Sequence, residues 1–120
     1  MKKILIVDDQ APMAKILGDI LKKGNFEIHF AVNGQLGINK AIELKPDLIM
    51  MDIMMPVKTG IEAIKELKDM SEFQNTPMYL VSGKGGTRDV NLVKELGING
   101  FIAKPFTPSI ILEEIIKVLA

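Results

Sequence analysis

Cysteine is absent from this chain, which excludes disulfide frameworks and thiolate metal sites and agrees with a reducing compartment. An excess of charge of either sign is also missing. The 15 Lys and Arg residues balance 15 Asp and Glu, so no global field draws the protein to nucleic acid or to a membrane surface. Long apolar runs are lacking as well: after Lys2 and Lys3 the stretch Ile4-Leu5-Ile6-Val7 stops at Asp8, far short of the apolar core of a secretion signal. No later run is long enough to span a bilayer. A cytoplasmic location is the expectation. Low-complexity segments, internal repeats and linkers do not occur either, so the 120 residues are expected to form one domain, 1–120, with its own core.

What the chain does have is an alternation of short apolar runs with amphipathic stretches. Ile4 to Val7, Leu48 to Met51 and Met78 to Val81 are continuous apolar runs of strand length, the pattern of strands buried on both faces of a parallel sheet. Glu27 to Ala31 and Phe101 to Ala103 are weaker strand candidates. Between them, Met13, Ile16, Leu17, Ile20 and Leu21 form one helical stripe beginning near Pro12, with Gly24 as its stop. A second helix is expected from about Gln35 to Leu44, entered through Asn33 and closed before Pro46. A third follows Gly60, with Ile61, Ile64 and Leu67 inward. Thr87 caps a fourth that carries Val90, Val93 and Leu96 and ends at Gly97. Thr107 and Pro108 open a fifth, whose Ile111, Leu112, Ile115, Ile116 and Leu119 cover so wide an arc that it needs a deep seat or a partner. Five strand–helix repeats imply right-handed crossovers and an α/β fold. The economical topology is a flavodoxin-like doubly wound five-stranded parallel sheet of order 2-1-3-4-5, one of the common doubly wound orders, with its site at the carboxyl ends of the strands.

The polar residues that interrupt the pattern all fall at that end. Asp8 and Asp9 close the first strand, Asp52 the third, Ser82 the fourth and Lys104 the fifth. A single Asp after a strand is ordinarily a turn or cap residue. Five polar residues in register instead bring three carboxylates, a hydroxyl and an ammonium to one crevice. Two carboxylates 4 Å apart repel by roughly 4 kcal/mol at an effective dielectric of 20, so gathering three calls for a cation. Mg2+ suits such a pocket, since it takes one or two carboxylates, several waters and a phosphate oxygen. Lys104 would neutralise part of the charge and pair with phosphate.

Ile6-Val7-Asp8-Asp9, Met51-Asp52-Ile53-Met54-Met55-Pro56 with Gly60 beyond it, Val81-Ser82-Gly83 and Ala103-Lys104-Pro105-Phe106 occur in an order and at spacings that, over the whole chain, resemble the receiver domains of two-component response regulators, of the stand-alone chemotaxis-regulator type. The resemblance implies that Asp52 is the nucleophile and phosphoryl acceptor. It also implies that Asp8, Asp9, Asp52 and the Met54 backbone carbonyl hold Mg2+. By the same resemblance Ser82 and Lys104 bind phosphoryl oxygens, Pro105 follows a cis peptide bond, and Phe101 is the switch aromatic that turns inward as Ser82 moves. Members with Tyr at that position can signal through its hydroxyl; Phe101 can signal only by packing. Met54 and Lys84 stand where the family tunes the lifetime of the phosphorylated state. Lys84 is either a lid over the phosphate or a solvated loop residue.

The resemblance further implies a signalling protein rather than an enzyme with an external substrate. Its partners would be a sensor histidine kinase or histidine phosphotransfer protein and a downstream target protein, with no direct nucleic acid and no membrane insertion. The chain would be a monomer or a weak phosphorylation-linked dimer. Its output face would be the fourth helix, fifth strand and fifth helix. The single histidine, His29, falls in the second strand as a surface or edge residue, so the phosphoryl group must come from outside the chain. Three rival readings fit less well. A haloacid-dehalogenase-type phosphohydrolase needs Asp-x-Asp on the first strand, where this chain has adjacent aspartates, and usually a large cap. A flavodoxin needs a phosphate-cradling loop rich in Thr, Ser and Gly, where Asp8-Asp9-Gln10 stands. A degenerate receiver would lack site residues, whereas all five are present. Most of the eight methionines are expected in the core, with Met54 and Met55 bordering the site.

Overall fold

Each continuous apolar run becomes a strand, and each 3.6-residue stripe a helix laid over the sheet. The computed structural model describes residues 1–83 and 87–120, with only the backbone of 87–89. The elements in chain order are β1 (Lys3–Val7), α1 (Ala11–Lys22), β2 (Glu27–Ala31), α2 (Gly34–Leu44), β3 (Leu48–Asp52), α3 (Gly60–Lys68), a short 3-10 turn (Ser71–Phe73), β4 (Met78–Ser82), α4 (Thr87–Leu96), β5 (Gly100–Ala103) and α5 (Pro108–Leu119). The five strands are all parallel and lie in the order β2-β1-β3-β4-β5. The expected doubly wound topology is therefore the observed one.

Side chains alternate across the sheet with period two. Leu5, Val7, Ile49, Met51 and Leu80 face Ile38 and Ala41 of α2, Ile64 and Leu67 of α3, and partly buried Leu92 and Val93 of α4. Ile4, Ile6, Leu48, Met50, Tyr79 and Val81 face Leu17 and Leu21 of α1 and Ile111 and Ile115 of α5. Every residue of β3 and β4 is buried, which is why their sequences run apolar without a break. Each fully buried Leu or Ile stabilises the fold by roughly 1.5 to 3 kcal/mol.

The local stops differ in one respect from the sequence reading. At the end of α1 the left-handed residue is Asn25 (φ 62°) rather than Gly24. At Gly24 a Cβ would lie 2.7 Å from the Phe26 ring, so a larger residue there would have to displace that side chain. The other stops are local and agree, with Asn33 accepting from the Leu36 N–H at the start of α2 and Gly97 at φ 66° after α4. Thr107 occupies the N-cap of α5 without a side-chain cap bond. The side chain of Thr87 lies outside the described residues. The wide arc of α5 is resolved in both ways at once: Ile111, Ile115 and Leu119 are seated, while Ile110 and Ile116 remain exposed.

Candidate functional site

The carboxyl ends of β1, β3, β4 and β5 deliver their polar residues to one crevice because the register is parallel and unshifted. Asp8 follows β1, and its backbone N–H donates to the Ala31 carbonyl at 3.0 Å. Its side chain is tied by the Gln10 N–H, which donates to Oδ1 at 2.9 Å. Asp52 is the last residue of β3 and Ser82 the last of β4; Asp8, Asp52 and Ser82 are all buried. Asp9 is exposed at the rim. Lys104 comes immediately after β5, its N–H donating to the Ser82 carbonyl at 2.8 Å. Its Nζ stands 3.8 Å from Asp8 Oδ2 and 3.7 Å from Asp52 Oδ2. The Lys104–Pro105 peptide bond is cis.

One carboxylate oxygen each from Asp8, Asp9 and Asp52 lies within 4.8 Å of the others. At that separation each pair repels by roughly 3 kcal/mol at an effective dielectric of 20, and one ammonium cannot neutralise three anions. The Asp52 carboxyl is accordingly pushed up to about 6, first by burial and then by the Asp8 charge, with Lys104 opposing. Three convergent hard oxygen donors, one of them open to solvent, fit a small divalent cation that keeps water ligands. The described residues contain no other such group of acidic side chains.

The chain matches the model of the response regulator receiver domain over residues 4–116. It belongs to the receiver domain family of response regulators. The receiver is 41% identical to the chemotaxis protein CheY of Thermotoga maritima over 118 residues, 98% of this chain and 97% of that one. It is also similar to the solved chemotaxis protein CheY4 of Vibrio cholerae, with a TM-score of 0.90 at 29% identity over 98% of both chains. A putative response regulator from Chloroflexus aurantiacus shares the fold, with a TM-score of 0.92, 24% identity and 98% and 97% of the two chains covered. The receiver is thus a phosphoacceptor-type signalling domain of two-component systems. None of its described helices is long and apolar enough to cross a membrane.

The remaining expected site residues are placed as follows. Met54 lies two residues beyond Asp52 and is 74% exposed, whereas Met55 is buried. Phe101, on β5, is half-buried against the core layer beneath α4 and lines grooves on both flanks of β5, one with Val90 and Val93, the other with Pro105 and Ile110. Lys84 lies outside the described residues. Two supports of the site were not read from the sequence. Thr59 and Glu62 form a reciprocal capping box at the start of α3, and its signal, Thr followed three residues later by Glu, was legible. Gly60 then sits so close to β3 that an added Cβ would lie 2.0 Å from the Asp52 carbonyl oxygen, while its N–H donates to the Ile53 carbonyl at 2.9 Å. The backbone bearing Asp52 is therefore braced by α3.

Proposed function

We propose that this receiver takes a phosphoryl group on Asp52, and that doing so switches the surface formed by α4, β5 and α5 for a protein partner. The observation that carries the reading is the convergence of Asp8, Asp9 and Asp52 within 4.8 Å with Lys104 Nζ 3.7 Å from Asp52. Asp8, Asp9 and Asp52, joined by the Met54 carbonyl, are the residues that would hold Mg2+. When bound, the ion supplies charge neutralisation of the phosphoryl oxygens and of the carboxylates. An Asp52 oxygen attacks the phosphorus of a phosphohistidine or an acyl phosphate, a P–O bond forms, and the P–N or P–O bond to the donor breaks. Lys104 pairs with one phosphoryl oxygen and Ser82 donates its hydroxyl to another. The donor is the histidine of a sensor kinase or phosphotransfer protein, because the single histidine of the chain, His29, sits mid-strand in β2 beside Leu5, with β1 between it and the strand that ends in Asp52, and its ring nitrogen bonds Glu27 at 2.6 Å.

Movement of Ser82 toward the phosphate vacates space that Phe101 fills by packing alone, which changes the grooves beside β5. The chain acts as one domain in the cytoplasm, as a monomer or a phosphorylation-linked weak dimer, without contacting nucleic acid. Incubation with acetyl phosphate and Mg2+ should add one phosphate by intact mass, and none to Asp52→Asn. Undiminished labelling of that variant would remove Asp52 from its role.

A further inference from the structure

The face beside β5 holds one polar contact that switching by Phe101 does not use. Tyr79 is the residue of β4 in register with Gly100 of β5, and it lies with Val81 on the α5 side of the sheet. Because Gly100 has no side chain, the buried Tyr79 ring passes beside it, and a Cβ there would stand 3.2 Å from ring atom Cε2. The hydroxyl thereby reaches α5, where it donates to Glu114 Oε2 at 3.0 Å. A buried tyrosine needs an acceptor, and a neutral one would serve. Here the acceptor is a carboxylate. Burial first, and then this carboxylate, push the Tyr79 hydroxyl well above its ordinary range, so the proton stays on tyrosine and the charge on Glu114.

Glu114 borders a groove of about 230 Å3 between β5 and α5 that is otherwise lined by uncharged residues, chiefly Phe101, Pro105, Thr107, Ile110 and Ile111. Among the described residues Glu114 forms no ion pair. Further along α5, exposed Glu113 and Lys117 offset each other in charge, which leaves one uncompensated anion at the rim of an apolar groove. The groove on the other flank of β5 is bordered instead by Lys94. The two flanks therefore differ in sign.

We propose that the β5–α5 groove takes an apolar segment of the protein partner that carries a lysine or arginine, with Glu114 reading the cation and Tyr79 positioning Glu114. The inference rests on the reading of this face as the output surface, and adds the chemistry of its occupant. A carboxylate tethered by a buried hydroxyl gives up less freedom on pairing than a free glutamate does, so its charge is preorganised for a partner cation. An acidic segment would meet unscreened repulsion at Glu114. A second copy docked about a two-fold axis through this groove would set Glu114 against its own image.

A library of random peptides panned on the full chain, held with Mg2+ and beryllofluoride as a phosphoryl analogue, tests this. Retained peptides should be enriched in Lys or Arg beside apolar residues. Glu114→Gln keeps an acceptor for the Tyr79 hydroxyl, and should bind those peptides roughly two- to fivefold more weakly, the range of an exposed ion pair, with the difference fading at high salt. Tyr79→Phe, which leaves the charge untethered, should lose a smaller part of the affinity, and Ile110→Lys should lose retention altogether. Retained peptides that are acidic or uncharged, a lysine preference unchanged in Glu114→Gln, no peptide retained, or a sedimenting dimer of the parent that Ile110→Lys abolishes would each overturn the proposal. Panning without beryllofluoride separates it from the switch. Equal retention of basic peptides in both states would sink the switching of this face and leave the cation reading standing, whereas beryllofluoride-dependent retention of acidic peptides would do the reverse.

Discussion

Replacing Asp52 by Asn removes one of three convergent anions while keeping the shape of the side chain, so it measures what the acidic cluster costs the metal-free fold. Burial and the Asp8 charge push the Asp52 carboxyl from 3.8 to about 6. A raised native pKa means that the native state binds the proton more tightly than the unfolded chain does. The contribution of Asp52 to native stability is therefore most favourable below pH 3.8 and is lost as pH rises through about 6. A shift of that size corresponds to roughly 3 kcal/mol, the penalty expected in EDTA at about pH 8, falling to about half near pH 5 and to a small remainder near pH 4. Asp52→Asn escapes this penalty but gives up the attraction to Lys104 Nζ at 3.7 Å, which is already contained in the shift. Urea unfolding of parent and variant across this pH range, both in EDTA, should show the variant about 1 to 3 kcal/mol more stable at pH 8 and nearly level with the parent at pH 4. The comparison cancels the titration of most other carboxyl groups, which both chains share. Adding Mg2+ should then narrow or reverse the order, since a ligand at 100 times its Kd stabilises the parent by about 2.7 kcal/mol. If the variant is no more stable than the parent at pH 8 in EDTA, or if the gap does not shrink on acidification, the acidic cluster does not strain the fold.

Gly60→Ala should cost roughly 2 kcal/mol or more in urea unfolding, because its Cβ would meet the Asp52 carbonyl oxygen at 2.0 Å. The same variant should label more slowly with acetyl phosphate, and normal labelling would show that α3 does not brace the acceptor. Thr59→Ala should cost about 1 kcal/mol by removing the capping box, with Mg2+ response retained. The double variant Met54→Asn, Lys84→Glu should lose phosphate faster than the parent after donor removal at fixed Mg2+, since Met54 is exposed next to the acceptor strand and its thioether orients water poorly. Equal or slower decay would mean that these side chains do not set the lifetime.

The strands, the helices and the set of convergent polar residues were legible in the linear chain because each is announced by a local pattern. Unbroken apolar runs such as Ile4 to Val7 can persist only where both faces of a strand are covered, and an Asp or Lys at the end of such a run marks where cover stops. In a parallel sheet all those ends share one edge, so the linear chain alone groups Asp8, Asp52, Ser82 and Lys104. What the tertiary structure alone decided are contacts between residues distant in sequence. Nothing local says that Lys104 Nζ stands almost equally far from Asp8 and Asp52, or that the Tyr79 hydroxyl crosses to Glu114 at 3.0 Å. The same holds for Ile110 and Ile116, which share the apolar arc of α5 with Ile111 and Ile115 but stay in solvent. Periodicity reports how apolar a helix is around its axis, whereas the width of sheet beneath it sets how much of that arc is covered. Likewise Asn25, not Gly24, takes the left-handed turn after α1, a choice between two adjacent permissive residues that local turn propensity leaves open.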